Sequence, residues 1–158
     1  MIKIILRILA IIILVFFQLA LLTKLTILGV IPNIVMFLAI ALVFKGRAEQ
    51  GFLVAGVGGL LLDLVSPIRF GFYTFFFVGV LLAINFYILK IFPTPNLGVS
   101  FLIFMASILL MDLGFWGITK NFPAWQLIPQ AIIGGFWGIL VYWFVENMIK
   151  PQEEIKLT

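Results

Sequence analysis

The sequence predicts an all-α, polytopic integral membrane protein with about six transmembrane helices in one compact bundle. Three observations carry this. Of the 158 residues, 65% are hydrophobic and only 10% charged, with a mean hydropathy of +1.31. Soluble domains run about 45–50% apolar and about 25% charged, so at this length the solvent must be lipid. Second, the apolar residues form helix-length runs punctuated by Pro, Gly and Asn. Third, Lys and Arg stand singly between those runs, where headgroups of the lipid bilayer lie. The net charge of +4 therefore points to lipid and not to nucleic acid.

Residues 1–149 read as a single transmembrane helical domain, and 150–158 as a short, charged, disordered cytoplasmic tail. The first run, Ile8 to Leu22, follows Lys3 and Arg7 and is followed by no small-x-small cleavage site. It reads as an uncleaved span, with Arg7 reaching the cytoplasmic surface and Gln18 making a helix contact. After the turn 24–31, Pro32-Asn33 opens the second span, since proline suits a first helical turn; it ends at Phe44, before Lys45-Gly46-Arg47. The third span covers Gln50 to Val65 and breaks at Ser66-Pro67. The fourth, aromatic-rich, covers Gly71 to Leu89. Pro93 and Pro95 make the clearest loop, the fifth span covers Leu97 to Trp116, and the sixth Leu127 to Asn147 after a loop with Lys120 and Pro123. Spans three and four are short for a bilayer that needs roughly 20 residues. With six spans both termini share one side. Seven cations (Lys3, Arg7, Lys45, Arg47, Lys90, Lys150, Lys156) then face three (Lys24, Arg69, Lys120), which puts both ends in the cytoplasm.

The chain contains no cysteine and no histidine. That excludes disulfides, thiolate metal sites, cysteine nucleophiles and the commonest general base. No nucleophile motif, metal-ligand spacing or phosphate-cradling loop is present; Gly56-Val57-Gly58-Gly59 lies inside an apolar helix and lacks the lysine. We expect no catalytic residue, no metal and no cofactor.

What remains is helix association. Steps of four along the third span give Gly51, Ala55, Gly59 and Asp63. The same step along the sixth gives Gln130, Gly134, Gly138, Tyr142 and Glu146. Small residues at this spacing let helix backbones approach in lipid. Such stripes are either packing seams within the bundle or a docking face for another protein's helix. Asp63 and Asp112, in the near-copies Leu61-Leu62-Asp63-Leu64 and Leu110-Met111-Asp112-Leu113, both fall toward the outer leaflet. An acid at mid-bilayer costs roughly 2.5–3.5 kcal/mol and less near the interface, so each needs a partner. Arg69, Lys120, Gln18, Asn85 or an incoming helix are candidates. The pair reads either as an ion or proton relay or as structural anchors; Glu146 has no assigned role.

The order Pro32-Asn33, Lys45-Gly46-Arg47-x-x-x-Gly51 and Gly59-x-x-x-Asp63-x-x-Ser66-Pro67-x-x-x-Gly71 resembles the bacterial rod-shape-determining MreD family. The resemblance extends over nearly the whole chain, with Asn33 standing where the family often has Asp. It carries over to Gly51, Gly59, Asp63, Pro67 and Gly71. It implies an architecture similar to the S component of energy-coupling-factor transporters. It also implies a non-catalytic protein of the bacterial inner membrane that binds an MreC-like membrane protein, and through it MreB filaments and peptidoglycan synthases. The alternative is an S component itself, the substrate-binding subunit of a vitamin transporter. Such subunits commonly dock through Ala-x-x-x-Ala on the first span, where this chain has only Ala10 and Ala20. Asp63, Asp112, Trp116 and Trp125 would line its ligand pocket.

Overall fold

The computed structural model describes residues 2–22, 32–67, 69–93, 95–119 and 127–148. Every regular element among them is helical. Helix α1 (Ile2–Phe17) runs on through a π-helical segment, Gln18–Leu22. Then come α2 (Ile34–Phe44), α3 (Ala48–Val65), α4 (Phe72–Ile91, with a π-helical segment at Ile84–Ile88), α5 (Leu97–Thr119) and α6 (Leu127–Met148). The turn 24–31, the loop with Lys120 and Pro123, Trp125 and the tail lie outside the described residues.

The helix ends follow from local chemistry. Asn33 caps α2 by accepting the Met36 N–H at 3.2 Å, and Asn96 caps α5 by accepting the Val99 N–H at 2.9 Å. Gly46 takes φ +71 in the turn between α2 and α3, a left-handed conformation open to glycine. At the far end of α3, Ser66 is extended (φ −77, ψ 140), as the residue before a proline should be.

Among the described residues four helices, α3 to α6, are long and apolar enough to cross a membrane; the stretch Ile4–Ala20 of the first helix and α2 are apolar and shorter. This narrows the expected count of six. The reason is clearest in α2, whose 11 residues rise only about 16 Å against a hydrocarbon core of about 30 Å. Instead of facing lipid, α2 forms the centre of the molecule. Val35, Met36, Phe37 and everything from Ala39 to Phe44 are buried, an enclosure that suits a helix apolar on every side. Helices α3 and α6 pack along it.

The Phe104 ring of α5 joins this core, edge-on to Phe37 at 5.6 Å and to Phe44 at 5.8 Å between centroids, a favourable aromatic geometry. One end of the bundle collects Lys45 and Glu146, the C-terminal ends of α2 and α6. The other end collects Gln18, Asn33 and Met111, and the α3–α4 turn lies at the end of α3 away from Arg47.

Candidate functional site

Asp63 is a helix cap across a turn. One carboxylate oxygen accepts the Tyr73 N–H at 2.8 Å; the other accepts the Thr74 N–H at 3.0 Å and the Thr74 hydroxyl at 2.7 Å. These amides begin α4 and have no partner within the helix, and the negative charge faces the positive end of the helix dipole. The other residues named between Gly59 and Gly71 serve the same joint. Gly59 lets α3 approach so closely that a Cβ there would lie 2.7 Å from the Thr74 Cα. Ser66 and the exposed Pro67 end α3, and the Ser66 side chain bonds the Tyr73 hydroxyl. Gly71 reverses the chain at φ +94. None of the side-chain partners expected for Asp63 is needed, because backbone amides of its own hairpin take that place.

The two small-residue stripes are filled from within the chain, in different ways. A Cβ at Gly51 would lie 2.8 Å from the Ala39 carbonyl oxygen, so α3 and α2 meet backbone to backbone there, and Ala55 is fully buried beside them. Gly134 and Gly138 instead accept large side chains from α5: a Cβ at Gly134 would strike Ile108, and one at Gly138 would overlap the Phe104 ring. Neither seam leaves room for a foreign helix, so the docking-face reading of these stripes is not what the structure places there.

Gln18, Asn33 and Met111 form a second polar joint. Gln18 accepts the Val35 N–H at 3.0 Å and donates to the Asn33 side chain at 3.4 Å; Asn33 in turn donates to the Met111 sulfur at 3.6 Å. Together Gln18 and Asn33 satisfy two amides at the start of the buried helix α2, following the buried Pro32. The π-helical segment beginning at Gln18 is of the kind often found where a polar residue is put to use. Sequence reading foresaw a contact for Gln18 but not this one, which required α1 and α2 to be brought end to end.

Asp112 follows Met111 and is buried at 9% exposure; its Oδ2 has no hydrogen-bond partner. Tyr73 lies within Coulombic reach of both Asp63 and Asp112, so α3, α4 and α5 bring the two acids into one region. Trp116, a predicted pocket residue, is exposed. Among the described residues no group of three or more acidic side chains could hold a metal ion.

At the opposite end Lys45 pairs with Glu146 and lies 4.8 Å from the Tyr142 ring centroid. Burial lowers the Lys45 pKa, but the Glu146 hydrogen bond and the Tyr142 contact raise it more, leaving it above its ordinary 10.5.

One large surface feature was not legible from the stripes. Helix α4 is the least enclosed of the four long helices: 17% of it is buried, against 33–39% of the others. The backbones of α4 and α5 stand apart, although the Phe72 ring of α4 reaches Gly114 of α5. Between them lies an apolar groove of about 570 Å³ whose walls include Gly79, Ala83 and Ala106. No protein-family model, curated protein or solved structure matches the chain.

Proposed function

We propose that this protein is a non-catalytic scaffold of a bacterial inner membrane, an MreD-like member of the cell-wall elongation machinery. In this reading all six helices are embedded, both termini are cytoplasmic, and its work is to hold an MreC-like membrane protein. That protein in turn connects MreB filaments with peptidoglycan synthases and so sets rod shape. The observation that supports the reading is the groove between α4 and α5. A lipid-facing helix has no need of glycine, which weakens a helix by about 1 kcal/mol relative to alanine. Gly79 is exposed and a Cβ there would meet nothing within 4 Å. Small residues in an open, membrane-embedded groove suit a second helix that approaches closely. The occupant is therefore a transmembrane helix of the partner.

The test is co-purification of an MreC-like protein with wild type, Gly79→Leu and Ala106→Leu. Both variants fill the groove without touching the core. Loss of capture with an unchanged melting profile is expected; full capture by both variants would sink the proposal.

The unpartnered Asp112 oxygen favours a second reading, the substrate-binding subunit of an energy-coupling-factor vitamin transporter, in which this acid would receive a donor group of the ligand. Saturable quenching of tryptophan fluorescence by one of a panel of vitamins, abolished in Asp112→Asn, would decide for it.

A further inference from the structure

A second opening, about 320 Å³ in volume, lies between α1, α2 and α3 near the end that carries Lys45. Its polarity is confined to one end. Arg7 of α1 and Gln50 of α3 stand at that mouth, and Leu14, Leu38 and Val54 line the interior. Arg7 to Leu14 is about 10 Å of helix rise. Helices α1 and α3 each contribute one polar lining residue near their N-terminal ends, while α2 contributes only Leu38 and Leu42.

The opening is therefore a slot with a cationic and amide rim and a hydrocarbon interior, the profile of a phospholipid entering side-on. Arg7 is exposed and, among the described residues, is the one charged side chain lining the slot; neither Arg47 nor Glu49 lines it. The rim thus carries a positive charge, and a guanidinium is well matched to phosphate oxygens.

We infer that this slot binds one acyl chain of an anionic phospholipid, with Arg7 and Gln50 holding its phosphate. The site is separate from the α4–α5 groove, and its occupancy does not depend on a partner protein. A lipid seated here fills the gap between α1 and α3 and fastens α1 to the bundle.

The experiment is native mass spectrometry of the full chain purified in mild detergent and titrated with phosphatidylglycerol or phosphatidylcholine. Four proteins are compared: wild type, Arg7→Gln, Ala10→Leu and Arg69→Gln. Ala10 also lines the slot, and both it and Arg7 are exposed, so neither change disturbs the core. Wild type should retain one phosphatidylglycerol in preference to phosphatidylcholine. Arg7→Gln should weaken phosphatidylglycerol retention about fivefold, the ~1 kcal/mol of one basic residue at an anionic surface. Ala10→Leu should weaken retention of both lipids, and Arg69→Gln should change neither. Equal retention of the two lipids by wild type, unchanged retention in Arg7→Gln or Ala10→Leu, or an equal fall in Arg69→Gln would each overturn the inference.

Discussion

Removing the Asp63 carboxylate should loosen the start of α4 and spare the far end of the bundle. The carboxylate accepts three hydrogen bonds, at 2.8, 3.0 and 2.7 Å. A hydrogen bond to a charged group contributes ~1.5–3 kcal/mol, and loss of an ordinary N-cap costs ~0.5–2 kcal/mol. Because the three bonds share one carboxylate they are not additive. We expect Asp63→Ala to destabilise by about 3 kcal/mol. Asp63→Asn keeps one acceptor oxygen, and its amide can donate to the Thr74 hydroxyl, so about 1 kcal/mol is expected. Denaturant unfolding in mild detergent, followed by circular dichroism, measures the loss. Hydrogen exchange locates it: the Tyr73 and Thr74 amides should exchange faster in Asp63→Ala, while those within α2 should not. Wild-type unfolding in Asp63→Ala, with both amides still protected, would refute the capping role.

Other expectations concern glycines and polar joints. Gly59→Ala should destabilise by roughly 1–3 kcal/mol because the added methyl meets the α4 backbone, whereas Gly56→Ala, with open space around it, should be neutral or stabilising by up to about 1 kcal/mol; thermal unfolding of the two variants compares them. Gln18→Leu should cost about 1–3 kcal/mol by leaving the buried Val35 N–H without its acceptor, read as a lower melting temperature that Gln18→Glu partly restores. The Lys45–Glu146 pair is partly exposed, at 20% and 48%, and should contribute no more than about 1 kcal/mol. Since the Lys45 pKa is raised in the folded state, that contribution is full below pH 10.5 and fades as pH rises past the folded value. Lys45→Met should therefore be less stable than wild type at neutral pH and converge with it in strong alkali.

Helix positions were legible because apolar runs and their breakers are local signals. The limits of α3 and α5 fall within a few residues of those expected, and Ser66-Pro67 and Gly71 mark a real turn. The enclosure of α2 by its neighbours was not legible. Ile34 to Phe44 is as apolar as its neighbours, and only packing shows that α3 and α6 enclose it. The stripes show the same limit. Spacing put Gly51, Ala55 and Gly59 on one face, yet the absent Cβ atoms could not say whether backbone, a Phe104-like ring or another protein fills the space. For Asp63 the spacing to Thr74 spans a turn, and a cap across a turn is invisible until the turn is built. Gly79, the residue on which the proposed partner site depends, forms a small-x-x-x-small pair with Ala83 in an aromatic-rich stretch, and only the open space around it sets it apart from the filled stripes.

The chain has no cysteine, so single cysteines give a direct test of where a partner lies. In membranes containing an MreC-like protein with a cysteine in its transmembrane helix, Gly79→Cys and Ala106→Cys should form disulfide cross-links with it. Phe144→Cys, at an exposed position on α6, should form none. Cross-linking at Phe144 with none at Gly79 or Ala106 would place the partner elsewhere and contradict the account.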